Sequence, residues 1–294
     1  MNKIVTQHST LNTQHWADWH CHLLPNLDDG AKDTADSLAI AAILAEAGFS
    51  QVHCTPHSIS GAYEASPMQI RQAVDELQEA VDREGIPLRI AAGNEYYLDE
   101  FLIARLDDPL PLGDTNLVLM EAPLQATPSL LSSIAYEVAL RGYTPLIAHP
   151  ERCDLLQPTE KTESATSSFM NSVLRFANRA LITKNSKLKT QNSEFSEQTL
   201  PEILTSMGCR FQGNLGSFAG IYGDRVRKAA IKNLQNGLYD CLGSDAHASR
   251  GLANWLKRGL REVESHVGAE GLAALLAGSS TMPINDKKKV VAVR

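Results

Sequence analysis

No stretch of the 294-residue chain holds the roughly 18 consecutive apolar residues that a membrane-crossing helix requires. No integral membrane segment is therefore expected. Residues 1–15 are polar and lack an apolar signal core, which makes the cytoplasm the expected location. Cysteine is sparse. Five residues, an odd number without regular spacing, describe no disulfide framework, and reduced thiols in a cytosolic protein are the simpler reading. Basic charge is outweighed, with 27 Lys and Arg against 34 Asp and Glu, a net charge of −7. That argues against a general nucleic-acid-binding surface, and no nucleic-acid partner is expected. It does not exclude an anionic substrate, because bound cations would dominate the local field. No Walker-type or dinucleotide glycine loop is present. A cysteine-based phosphatase is also missing its machinery, although His-Cys occurs at His20-Cys21 and His53-Cys54. The arginine required six residues after the nucleophile is replaced, at the five cysteines in turn, by Leu27, Ser60, Thr159, Leu215 and His247.

What remains is ordinary globular composition, 43% hydrophobic and 21% charged, enough for a large core. Short apolar runs alternate with helical periodicity. Trp16 to Leu24 reads as a strand, and Asp33 or Thr34 caps a helix running to Ala47, with Gly48 behind it. Gln51 to Thr55, Leu88 to Ala92, Leu117 to Glu121, Thr144 to Ala148, Cys209 to Gln212 and Leu238 to Leu242 read as further strands. Between them the spacing predicts helices opening at Pro67, over Leu130 to Leu140, Pro201 to Met207 and Tyr222 to Asn236. Two more, Leu252 to Val267 and Glu270 to Leu276, close the fold. Such alternation argues for a parallel sheet. The stretch from about 155 to 199 breaks the rhythm. It is rich in Ser, Thr, Asn and Lys and reads as an insertion, with one helix over Phe169 to Leu181.

Imidazoles and carboxylates recur just after the apolar runs. His20-Cys21-His22 alternates along a strand, so both rings face one side and can grip one ion. Asp28-Asp29-Gly30 follows; alone it would be a plain turn, but Asp29 could reach a neighbouring cation. Thr55-Pro56-His57 aims its ring by the fixed geometry of proline. Glu95 ends an apolar strand, where a carboxylate is either exposed or bound to something cationic. His149 ends another, and Asp245 and His247 repeat the His20–His22 alternation. These are the ligand types of a hydrolytic metal centre. Arg152 and Arg250 offer planar forks that match phosphate oxygens, and Asn214 could line the same pocket. Six segments placed at strand ends fit a βα barrel, whose strand ends open on one face, better than an open sheet with a single switch point.

The order His20-x-His22, Asp28-Asp29-Gly30, Thr55-Pro56-His57, Gly93-x-Glu95, His149-Pro150-Glu151-Arg152 and Ser244-Asp245-x-His247 resembles the polymerase-and-histidinol-phosphatase (PHP) superfamily. Within it, His-Pro-Glu-Arg and Asp-Asp-Gly-Ala are similar to the bacterial capsule-type tyrosine-protein phosphatases. The resemblance covers about Ala17 to Arg250. It implies a distorted (β/α)7-type TIM-like barrel, expected here as one domain over residues 16–280. The insertion at about 155–199 and the polar extension of residues 1–15 depart from the family's pattern, and residues 281–294 read as a basic tail. It implies two or three divalent ions, with Mn2+ preferred over Fe, Zn, Co or Mg. By motif, His20, His22, Glu95 and Asp245 would hold one ion, Glu95 would bridge to a second bound by His57 or His149, and Asp29 and His247 would hold the third. Arg152 and Arg250 would bind phosphate. His149, His247 or a metal-bound water could supply a proton. The activity implied is hydrolysis of phosphotyrosine on a partner autokinase of capsule or exopolysaccharide synthesis, by metal-activated hydroxide attack on phosphorus. A small-molecule phosphatase of the histidinol-phosphate kind, a phosphodiesterase and a non-catalytic regulatory subunit are the competing expectations. Homo-oligomerisation is left open.

Overall fold

The computed structural model describes residues 16–123, 126–157 and 198–278. The N-terminal extension, most of the expected insertion with its helix over Phe169 to Leu181, and the basic tail lie outside them. Among the described residues every strand pair is parallel. β1 (Trp16–Cys21), β2 (Phe49–Cys54) and β4 (Arg89–Ala92) form one sheet. β3 (His57–Ser58), β5 (Glu95–Tyr97), β6 (Leu117–Glu121), β7 (Thr144–Ala148), β8 (Arg210–Asn214) and β9 (Cys241–Gly243) form the other, in that order. The two sheets meet end to end, because β2 runs into β3 across Thr55-Pro56, and β4 into β5 across Gly93-Asn94. Pro56 has no N–H to give the ladder, which accounts for the break, while its carbonyl still accepts from Glu95 N at 3.0 Å. At the far edges the segment after β9 reaches back to β1. Asp245 N donates to the His20 carbonyl at 2.7 Å and His22 N to the Ala246 carbonyl at 3.0 Å. The result is a curled parallel sheet.

The curl is visible in the core. Alternate residues of a strand point to opposite faces, and in β6 Leu117 and Leu119 face an inner cluster with Trp19, Leu112, Leu146 and Ala148. Val118 and Met120 face the larger cluster formed with the helices. Strands buried on both faces read as continuous apolar runs, which is why periodicity alone leaves their inner and outer residues undistinguished.

The helices start where their caps dictate. Asp33 caps α1 (Thr34–Glu46), its side chain accepting from Asp36 N. Ser66 and Gln69 form a capping box ahead of α2 (Pro67–Arg83). The short α3 (Leu102–Arg105) precedes β6, and α4 (Pro128–Leu140) follows it. α5 (Leu200–Ser206) leads into β8, and α6 (Leu215–Phe218), α7 (Asp224–Gln235) and α8 (Leu252–Ala277) complete the helices of the described residues. Within α8 the two C-terminal helices expected from the sequence are both present, separated by a kink at Gly268, whose φ of 73° and ψ of 172° are not helical. Four small elements carry no sequence pattern of their own: β3, β5, α3 and α6. At the start of the expected insertion, Leu155 and Leu156 still pack on the core, and Leu156 is fully buried.

Candidate metal centre

Each ligand-type side chain sits at a carboxyl end of the curled sheet. His20 and His22 lie at and just beyond the end of β1. Their Nε2 atoms face each other at 3.1 Å, and their other nitrogens decide what those atoms carry. His20 Nδ1 lies 3.0 Å from Gln212 Oε1. The Gln212 amide is itself oriented, because its Nε2 donates to the Gly213 carbonyl at 2.6 Å. His22 Nδ1 lies 2.6 Å from the Asp28 carboxylate. Both partners accept, so in the neutral rings Nδ1 holds the proton. Two lone pairs then point at one another, an arrangement that a shared cation resolves.

The carboxylates converge on the same spot. Glu95 Oε2 lies 3.3 Å from His20 Nε2 and 3.4 Å from His22 Nε2, and Asp245 Oδ1 lies 3.4 and 3.2 Å from the same two atoms. His57 Nδ1 approaches Glu95 Oε2 to 2.9 Å. The two atoms are misaligned for a hydrogen bond, and both are buried without a partner. Buried polar atoms are seldom left unsatisfied, so this donor set fits divalent cations. On the other side of Glu95, His149 Nε2 lies 3.1 Å from Oε1.

Three overlapping groups have ligand atoms mutually within 4.8 Å: His20, His22 and Glu95; His57, Glu95 and Glu121; and His22, Asp29, His57 and His247. Asp29 Oδ1 stands 3.5 Å from both His57 Nε2 and His247 Nε2. His247 Nδ1 lies 2.9 Å from the Asp245 carbonyl, leaving Nε2 to face Asp29. Glu121 is absent from the sequence reading, although its signal is the one used for Glu95, a carboxylate closing an apolar strand. It lies 3.8 Å from His149 and 4.0 Å from His57.

The electrostatics follow from crowding these groups out of water. Burial opposes charge on His20, but Glu95 and Asp245 outweigh it and raise the imidazole to about 9. Burial likewise pushes Glu95 up, yet the His20 charge and then the close approach of His149, His20 and His22 hold it well below the usual carboxylate range. Glu121 moves the other way, raised by burial and then by the charge of Glu95. The two carboxylates thus share one field of histidines unequally.

Outer groups fix the inner ones. Asp28 accepts from His22 through Oδ2, from His57 N at 2.9 Å and from Gly30 N at 2.9 Å. A Cβ at Gly30 would lie 2.3 Å from the His22 carbonyl oxygen, so the Asp-Asp-Gly turn closes onto the histidine strand only with glycine there. Asp18, fully buried, accepts from Ser244 N at 2.7 Å and ties β1 to the turn after β9. Glu151 is buried too, accepting from Asn214 N at 3.0 Å and from the Tyr239 hydroxyl at 2.9 Å. His149 and Asp245 have left-handed φ values of 30° and 55°. Strained backbone of this kind persists where packing enforces it, often at functional sites.

The two arginines part company. Arg152 Nη1 donates to Asp245 Oδ2 at 2.8 Å, beside the cluster. Arg250 is exposed at the turn before α8, and among the described residues its guanidinium makes no hydrogen bond or ion pair. All five cysteines are buried and unpaired. Burial raises the thiols of Cys21, Cys54 and Cys241 far above their usual value, so none is prepared as a nucleophile.

Residues 16–171 match the family described as "Capsular polysaccharide synthesis, CpsB/CapC". A tyrosine-protein phosphatase of Bacillus subtilis (strain 168), YwqE, is 29% identical over 258 residues, covering 86% of this chain and 85% of the relative. A putative tyrosine-protein phosphatase of Staphylococcus aureus, CapC, is 22% identical over 272 residues, 92% of each chain. A crystal structure from work on YwqE of Bacillus subtilis and CpsB of Streptococcus pneumoniae, described as metal-dependent tyrosine phosphatases, superposes with a TM-score of 0.69. It is 27% identical and covers 92% of this chain and 94% of its own.

Proposed function

Because the chain belongs to the capsular polysaccharide synthesis CpsB/CapC family, we propose that it is a metal-dependent tyrosine-protein phosphatase of capsule or exopolysaccharide synthesis. One observation carries this reading: the His20 and His22 lone pairs, the unsatisfied Glu95 oxygen and the Asp245 oxygen converge on one point beside an arginine. We read the curl of the sheet and the β9-to-β1 hydrogen bonds as a distorted (β/α)7-type barrel with this point at its carboxyl-end mouth.

His20, His22, Glu95 and Asp245 would hold one ion; Glu95, Glu121, His57 and His149 a second; Asp29, His57 and His247 a third. Manganese suits such a nitrogen-and-oxygen set, as do iron and zinc. Bound divalent cations supply Lewis acidity and an activated water for phosphate-ester hydrolysis. The chain's own groups do the rest. Arg152 neutralises charge on the non-bridging phosphate oxygens. A tyrosyl leaving group, with a pKa of about 10, demands less proton donation than an alkyl alcohol. His247, about one-third exposed and the most open ring of the cluster, would hold its ion through Nε2 while Nδ1 gives its proton to the Asp245 carbonyl, so it keeps no proton for the leaving group. The expected partner is a phosphotyrosine-bearing autokinase that sets polysaccharide chain length, met in the cytoplasm, where buried thiols stay reduced.

The test pairs metal analysis with turnover. Protein purified with manganese should contain two or three ions per chain. It should hydrolyse a phosphotyrosyl peptide faster than histidinol phosphate or a bis-ester. Preference for histidinol phosphate or the bis-ester would reassign the substrate, and full activity after exhaustive chelation would remove the metal chemistry altogether.

A further inference from the structure

The Asp245 carboxylate uses its two oxygens differently. Oδ1 faces His20 and His22. Oδ2 faces away and collects three donors: Arg152 Nη1 at 2.8 Å, Asn214 Nδ2 at 2.8 Å and the Tyr222 hydroxyl at 3.3 Å. Asn214 reaches it because its own carbonyl oxygen caps α6, accepting from Gly216 N at 2.7 Å and Ser217 N at 3.3 Å, which leaves only the NH2 group to point at Asp245. Tyr222 belongs to the loop that follows α6. It makes a second contact, with the Arg152 Cζ lying 4.6 Å from its ring centroid. Ring and hydroxyl therefore hold the two ends of one ion pair.

We propose that Tyr222 is a positioning residue that presents Arg152 to the phosphate of the substrate; the proposal rests on the phosphatase reading above. Arg152 is tethered through a single nitrogen, and its side chain is 33% exposed. A long arginine held at one point would swing. With the ring beneath the guanidinium and Asp245 at one nitrogen, the plane of the fork is fixed, and the N–H groups on Nε and Nη2 stay free to donate. Guanidinium over an aromatic face is a favourable pairing, and a fork fixed before substrate arrives loses less freedom on binding it. In the sequence Tyr222 is visible only as the start of an expected helix. The fold instead holds it in the loop before α7, with Gly220 and Gly223 on either side.

The experiment uses the manganese-loaded full chain as wild type, Tyr222→Phe, Tyr222→Leu, Arg152→Ala and the Tyr222→Leu/Arg152→Ala double variant. KM and kcat are measured on 4-nitrophenyl phosphate, and orthophosphate binding is measured by calorimetry. Metal content and melting temperature are followed alongside. Tyr222→Leu should raise KM and weaken orthophosphate binding about tenfold with metal content unchanged. Tyr222→Phe, which keeps the ring, should stay within about threefold of wild type. In the Arg152→Ala background the further loss of the ring should cost less than twofold, because there is no fork left to aim. The proposal is overturned if Tyr222→Leu binds orthophosphate as wild type does. It is equally overturned if the loss persists undiminished without Arg152, or if Phe fails to rescue. A wild type that binds orthophosphate but hydrolyses no phosphate ester would count against the function proposed above, while the binding comparison would still decide the role of Tyr222. A wild type that binds no orthophosphate would overturn both.

Discussion

At the scale of single residues, the cluster is built from pairs in which a buried acceptor dictates the tautomer of an imidazole. Asp28 is the clearest case, since one carboxylate receives His22 Nδ1 at 2.6 Å and the backbone N–H of His57 at 2.9 Å. Removing its charge by Asp28→Asn should weaken metal binding about 10- to 100-fold, the usual cost of losing a carboxylate behind a ligating histidine. Competition against a chelator of known affinity measures this, and an unchanged affinity would mean that His22 is oriented by its strand alone. The cysteines make the opposite prediction. All five are buried, and burial keeps the thiols protonated, so neither nucleophilic nor ligand chemistry is available to them. Replacing the five by alanine should keep kcat within about threefold at a temperature where the variant is folded, that factor being well under 1 kcal/mol of barrier. The cost should appear in the melting temperature instead, because Cys21, Cys54 and Cys241 are fully buried and their removal leaves cavities. A selective loss of turnover with metals bound would restore a role for sulfur.

At the scale of elements, the site depends on how closely α8 approaches α6. Gly259 faces the first residue of α6, and a Cβ there would lie 2.3 Å from the Leu215 carbonyl oxygen. That contact is with backbone, which cannot rotate away. Gly259→Ala should therefore destabilise the protein by about 1–3 kcal/mol, the range for overpacking, although alanine is intrinsically the better helix former. Denaturant titration measures it. Because Asn214 caps α6 and donates to Asp245, the same variant should also lower metal affinity. A stable Gly259→Ala protein would show that α8 can shift without cost.

At the scale of the whole molecule, protons and metals compete. Without ions, burial works against charge on His20, but Glu95 and Asp245 prevail and raise it to about 9. At neutral pH the metal-free protein thus binds protons on nitrogens that the ions need. Metal loading should release protons, and apparent affinity should rise with pH until about 9 is passed. Calorimetry in buffers of different ionisation enthalpy counts those protons, and a buffer-independent heat would contradict the assignment of His20 as a ligand. His53 acts in the opposite sense and belongs to none of the ligand groups. It is buried against Trp19, with ring centroids 4.6 Å apart, and burial lowers it from the usual 6.5 to about 4. A depressed histidine contributes stability above 6.5, and that stability is lost as pH falls toward 4, because the unfolded chain takes up a proton that the folded chain refuses. The loss is about 3 kcal/mol at most. His53→Leu should flatten the fall of melting temperature between pH 7 and pH 5, and an equally steep fall would place the acid sensitivity elsewhere.

Much of this protein follows from its sequence alone. The order of the main strands and helices, the helix starts at Asp33 or Thr34 and at Pro67, and the ligand-type residues His20, His22, Asp29, His57, Glu95, His149, Asp245 and His247 are legible because local chemistry sets them. Apolar runs end at turns, and an imidazole or carboxylate closing such a run is costly unless it binds something. Where those eight residues stand relative to one another was decided by the tertiary structure. Parallel pairing of β3, β5 and β6 brings Glu121 beside Glu95 and His57, although 26 positions separate the two carboxylates in the chain. The β9-to-β1 contact sets Asp245 against His20, and the α6 turn carries Asn214 and Tyr222 to the far side of the same carboxylate. Arg152 and Arg250 look alike in sequence, yet one is held against Asp245 and the other stands in solvent. Local pattern reports which groups must be buried or exposed. Their partners are contacts between distant segments, which only the pairing of strands and the packing of helices can bring together.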